Sequence, residues 1–116
     1  VTWNPSPFAY WEKLAALKAD VGIFPLGKTL FNYGKSDIFA QEMTRCAVLP
    51  IVPKGFPEFE HPGVILYDDV SHLIKIVKSL QHRGEYGHIE NGQAWLKKHR
   101  SLDVVNVARA EIIEGL

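Results

Sequence analysis

Ala19-Asp20-Val21-Gly22-Ile23-Phe24-Pro25-Leu26-Gly27 holds a short apolar run in which polar residues do not alternate. Strands buried on both faces of a parallel sheet read this way, and Gly27 closes the run. A loop follows over 27–34. Ser36 is placed to cap a helix, Asp37 favours the dipole in its first turn, and that helix is predicted to extend to about Cys46. A second buried strand over 48–52 completes a strand, crossover helix, strand unit. Upstream, Ser6-Pro7 is a helix start, with Phe8, Trp11, Leu14 and Ala15 on one face of a helix over about 7–19. Downstream, Pro53-Lys54-Gly55-Phe56-Pro57 must turn away from the sheet. A third strand occupies 64–67, and Asp69 or Ser71 caps a helix carrying Leu73, Ile74, Val77 and Leu80 as an apolar stripe. A loop over 84–87 leads to two further helices, about 89–99 and 102–113. The fold class is therefore α/β: a Rossmann-like three-layer sandwich, with a short parallel sheet of three strands flanked by helices. Ligands of such sheets sit beyond the carboxyl ends of the strands, here the loops 27–34 and 53–58 and the helix start near Ser36.

Composition narrows the functional classes. At 116 residues and 47% apolar content the chain suffices for one folded unit with a continuous core. Thirteen basic and thirteen acidic side chains cancel, so no long-range field gathers nucleic acid or an anionic membrane. An anionic ligand must be held by local geometry. The single cysteine, Cys46, excludes an internal disulfide and fits a reducing compartment, so the expected location is the cytoplasm. No apolar run approaches the roughly 18 residues of a membrane span, and no signal-peptide pattern opens the chain. A first residue of Val1 rather than Met suggests processing or a segment of a longer chain.

Gly34-Lys35-Ser36 lies where a loop after a buried strand opens a helix, so that backbone N–H groups, the helix dipole and a lysine converge. That combination suits a phosphate; the plainer reading is an ordinary helix start with a solvated lysine. Glu42 falls between Ile38 and Cys46 on a face that also carries Phe39 and Met43. A carboxylate on an apolar stripe needs a donor or a cleft, since burying it alone costs several kcal/mol. Lys35 is expected on the same face, roughly 10 Å away along the axis. Either a ligand with phosphates at one end and hydroxyls at the other spans the two, or Glu42 pairs with a backbone N–H or with Arg45 at the helix rim.

The block from Ala19 to Leu26, followed by Phe31-Asn32-Tyr33-Gly34-Lys35-Ser36-Asp37-Ile38 and Glu42, resembles the donor-binding domain of group 1 glycosyltransferases of the two-domain GT-B kind. Gly55-Phe56-Pro57-Glu58 is similar, more loosely, to the family's Gly-Pro-Glu loop, and the helix ending at His99 to its penultimate helix. The resemblance covers roughly residues 10–115. It implies a partial GT-B C-terminal domain that binds a nucleotide-diphosphate sugar and passes the glycosyl group to an acceptor. Lys35 and Ser36 would lie near the diphosphate, Glu42 near the ribose, and Gly27, Lys28, Gly34 and Phe56 along the same cleft. It implies no metal and no separate cofactor, because lysine and helix N–H groups stabilise the leaving diphosphate. No catalytic residue is assigned.

Three departures stand against it. The second acidic residue that retaining members carry eight positions before the helix glutamate is Gly34 here; Ala47 replaces the family's glycine after the helix, with the proline that follows displaced by one position; and the acceptor domain and earlier strands are missing. A second domain, a partner chain or a homo-oligomer would have to complete the fold. The same departures support another reading, a non-catalytic glycosyltransferase-like module for assembly or regulation, bound to a partner through a sheet edge and the aromatic N-terminus of Trp3, Tyr10 and Trp11. A receiver or flavodoxin-like domain would need an acidic pair after the first strand, which this chain lacks. His61, His72, His82, His88 and His99 lack zinc-like spacing and read as surface or capping groups, Asp68-Asp69 as cap and dipole partners, and Cys46 as a small core residue.

Overall fold

The computed structural model describes residues 6–83 and 86–116. In chain order its elements are α1 (Pro7–Ala16), β1 (Val21–Ile23), α2 (Leu30–Tyr33), α3 (Ile38–Arg45), β2 (Leu49–Pro53), a 3-10 turn (Pro57–Phe59), β3 (Ile65–Tyr67), α4 (Val70–Arg83), α5 (Tyr86–His99) and α6 (Leu102–Glu114). The three strands form one parallel sheet in the order β1-β2-β3. This is a mixed α/β fold with a small open sheet and flanking helices, compatible with a Rossmann-like layout.

β2 organises the interior. Its side chains alternate between two clusters: Leu49 and Ile51 join Tyr67, Leu80 and Ile89, whereas Val52 joins Ala40, Phe56, Phe59 and Val64. Helices α4 and α5 thus supply one face of the core, and α3 with the 54–64 crossover supplies the other. Pro50 sits within this central strand, where a missing N–H is normally excluded. Leu49 N–H donates to Asp20 O and Ile51 O accepts from Phe24 N–H, so odd-numbered residues bond towards β1. Pro50 therefore faces β3, whose ladder starts only at Ile65 opposite Ile51. Across β1, a Cβ at Gly22 would run into the Met43 side chain, and glycine lets α3 lie close on the strand.

Several boundaries move from their sequence positions. α1 starts as predicted, with the Ser6 hydroxyl accepting from Ala9 N–H and Pro7 in the first turn. It stops at Ala16 rather than 19, because Lys18 turns to a left-handed backbone, φ 48°. The 27–34 loop contains the short helix α2, capped by Thr29. The N-cap position of α3 falls on Asp37 rather than on Ser36, and the helix begins at Ile38. Asp69 rather than Ser71 caps α4, accepting from His72 N–H at 2.8 Å. The predicted 84–87 loop falls partly outside the described residues, and residues 86 and 87 already belong to α5. Trp3 also lies outside them. No helix among the described residues is long and apolar enough to cross a membrane.

Candidate functional site

The loop after β1 is knitted by its own polar groups. Asn32 Nδ2 donates to Gly27 O at 2.7 Å, Thr29 N–H donates to the same oxygen, and Thr29 Oγ1 accepts from Asn32 N–H. These bonds fix Gly27 and Lys28 against α2, with both residues exposed. α2 then closes on itself: Gly34 N–H donates to Phe31 O and Lys35 N–H to Asn32 O. The backbone donors expected to be free at Gly34 and Lys35 are therefore engaged. The free ones lie further on, because the first bond of α3 runs from Gln41 N–H to Asp37 O. Among the described residues no acceptor meets the N–H groups of Ile38, Phe39 and Ala40, the orphan donors of that turn, and Ala40 itself is buried. α3 runs antiparallel to the strands, so this turn and the exposed Ser36 lie over the carboxyl end of the sheet. The Lys35 ammonium stands over the rings of Phe24 and Phe31, 5.8 and 5.3 Å from their centroids.

Glu42 occupies a different setting. Its Oε1 accepts from Trp11 Nε1–H at 3.2 Å, and it borders a hollow of about 180 Å³ with Trp11, Arg45 and Cys46, between α1 and α3. Its donor is thus an indole on another helix, neither a backbone N–H nor Arg45. Burial and the Glu42 carboxylate together push the Tyr10 phenol above its usual range. Lys35 precedes α3 by three residues, so it is not on the helix face that carries Glu42. The structure gives the two residues separate neighbours. Phe56, expected to line the cleft, is 1% exposed and packs with Val52, Phe59 and Val64; only its contact with Tyr33, 5.4 Å between centroids, reaches towards the loop. Its role is to support the loop from beneath.

A polar cluster lies beside this turn, and it corrects the reading of His61 as a surface or capping group, because that side chain is 6% exposed and packed against Trp95. Asp37, at the N-cap position of α3, is buried, and its carboxylate makes no capping bond. It accepts instead from Gln41 Nε2 at 2.7 Å and lies 2.8 Å from His61 Nε2, with Arg100 Nη2 at 3.8 Å. His61 Nδ1 accepts from Gly63 N–H at 3.1 Å, which leaves the ring proton on Nε2, donated to Asp37. Burial opposes ionisation of Asp37, but the bonds from His61 and Gln41 and the charge of Arg100 outweigh it and hold the carboxyl below its usual range. Trp95 stacks on His61 almost coplanar, 4° and 4.1 Å, with His99 also stacked against it and Arg100 over its ring. Arg100 also reaches Glu58 at 3.8 Å. The end of α5 is thereby fastened to the start of α3 and to the 58–63 loop.

Nothing at residue 61 marks it in the sequence, since its partner is 24 positions away; the one legible hint is a polar residue at the head of a buried helix. Elsewhere, Asp68 pairs with Lys54 at 3.0 Å and with His72, and the hydrogen bond from Lys54 leads in holding its carboxyl low. This exposed set stabilises the β3 to α4 turn. No group of three or more potential ligands gathers among the described residues. Comparison with protein-family models, with curated proteins and with solved structures returned no match.

Proposed function

We propose that the chain binds a nucleotide-diphosphate sugar over the carboxyl end of its sheet and serves as the donor half of a GT-B-type glycosyltransferase. What carries this reading is the open first turn of α3, with its orphan N–H groups beside Ser36 and the Lys35 ammonium, next to a β1 loop rigidified by Asn32. Aligned amides at a helix start favour an anion, and a lysine adds the charge needed to hold a departing diphosphate. Trp11 engages Oε1 of Glu42, and Oε2 is the oxygen left to meet a ribose hydroxyl. The acceptor site lies in another domain or chain.

Calorimetric titration with UDP, GDP and their common sugar conjugates tests the reading on the wild type, Lys35→Ala and Glu42→Ala. Saturable binding at up to millimolar ligand is expected, weakened about tenfold by loss of the lysine contact, or about 1.4 kcal/mol, and less by Glu42→Ala. Absence of heat and of any thermal shift with every nucleotide sinks it. In that event the assembly module becomes the stronger reading. The observation favouring it is that neither α1 nor α6 has a buried residue, while Phe8, Leu17, Leu102, Val107, Ile112 and Ile113 are each at least 60% exposed.

A further inference from the structure

Leu30 and Phe31 open α2 at 92% and 78% exposure, two consecutive large apolar side chains held out into solvent. Tyr33, on the same face as Leu30 three residues on, is 44% exposed. The loop does not let them fold away. Thr29 Oγ1 accepts from Asn32 N–H, Asn32 Nδ2 donates to Gly27 O and Tyr33 N–H donates to Thr29 O, so the backbone is braced while the side chains stay outside. Charge in this segment has one sign. From Val21 to Ser36 the chain holds Lys28 and Lys35 and no acidic residue, and Asp37, which follows, is buried against His61. The Lys35 ammonium stands over the Phe31 ring, so cation and apolar tip are neighbours in space.

We propose that the α2 tip docks on an anionic bilayer surface, with Leu30 and Phe31 inserted and Lys28 and Lys35 against the headgroups. Apolar side chains enter the acyl boundary, cations meet lipid phosphates, and a tyrosine phenol settles at headgroup level. A protein partner fits less well. A stable protein interface engages roughly 20–30 residues a side, whereas this tip offers three apolar side chains. The balanced net charge of the chain provides no long-range attraction, so insertion makes the contact and the lysines reinforce it at short range. This surface goes beyond the nucleotide reading and does not depend on it.

Flotation of the full chain with vesicles of mixed phosphatidylcholine and phosphatidylserine, without nucleotide, tests the proposal. The wild type is expected to float with the anionic vesicles, and less with phosphatidylcholine alone. Leu30→Ser lowers the partition coefficient about tenfold or more, the worth of one leucine side chain taken out of water. Lys28→Gln lowers it about fivefold on the anionic vesicles and leaves the neutral ones unaffected. Leu102→Ser is the matched control, a leucine 74% exposed in α6, and partitions as the wild type does. Leu30→Trp, read against the native tryptophans, shifts its emission to the blue on vesicles only. Failure of the wild type to float, or equal losses for Leu30→Ser and Leu102→Ser, overturns the proposal. So does sedimentation equilibrium in which Leu30→Ser dissociates an oligomer, a result that assigns the tip to a second copy of the chain. A protein that floats as described but gives no heat with any nucleotide keeps this surface and loses only the donor reading.

Discussion

At the residue scale, the end of α3 shows a departure from the glycosyltransferase pattern acquiring a physical meaning. Val48 N–H donates to Met43 O and Ala47 N–H to Thr44 O, the paired bonds of a Schellman C-cap, and Ala47 has φ 58°. A left-handed backbone is where glycine belongs; for an L-residue it costs roughly 1–2 kcal/mol, while glycine loses about 0.5–1 kcal/mol of chain entropy on folding. The first term is the larger. Ala47→Gly is therefore expected to stabilise the protein by about 0.5–1 kcal/mol, raising Tm by about 2–4 °C in a thermal melt. Ala47 is exposed, so no packing is lost. An unchanged or lower Tm would show that the turn does not hold this conformation in solution.

At the scale of elements, α5 links the two faces of the core. Ile89 packs with Leu49 and Leu80 in one cluster, whereas further along Gly92 meets Gly63 and Thr44, and Trp95 meets His61. A Cβ on Gly92 would lie 3.2 Å from the Gly63 Cα and 3.2 Å from Thr44 Cγ2, so both the Gly63 backbone and the buried Thr44 methyl would have to give. Gly92→Val adds a branched side chain there, and the forced separation outweighs valine's better helix propensity, worth only a few tenths of a kcal/mol. Loss of about 1–3 kcal/mol is expected by denaturant titration, together with weaker Trp95 to His61 stacking seen as altered Trp fluorescence. A neutral result would mean that α5 does not approach α3 closely. The strands, the apolar stripe of α4 and the Ser6-Pro7 start were legible in the sequence, because local periodicity and capping chemistry determine them. The cap of α3 falls one residue later than Ser36, on Asp37, whose carboxylate is taken by a histidine 24 residues away. Glu42 was correctly read as needing a donor, but an indole on another helix leaves no local trace. Such long-range partners are what a single sequence conceals.

At the scale of the whole molecule, order is concentrated around β2. The radius of gyration is 15.7 Å, against about 13.4 Å for a compact chain of this length, and the principal extents are 49 × 32 × 31 Å. Helices without buried residues account for the excess: α1 and α6 ride outside the two clusters, whereas Ile51 and Val52 are 0% exposed. Stability should be distributed accordingly. Ile51→Ala removes three buried carbons from the central strand and is expected to cost about 2–5 kcal/mol. Ile112→Ala makes the same change in α6, where the side chain is 67% exposed, and is expected to stay within about 0.5 kcal/mol of the wild type. Paired chemical denaturation, at several protein concentrations, compares identical deletions in two environments and so removes the chemistry of the side chain from the result. If Ile112→Ala approaches the cost of Ile51→Ala, and the more so as concentration rises, then α6 is covered in solution by another copy of the chain. Concentration-independent values that differ as stated mean that the sheet and its two clusters fold as the stable unit, with α6 held to it mainly through its junction with α5.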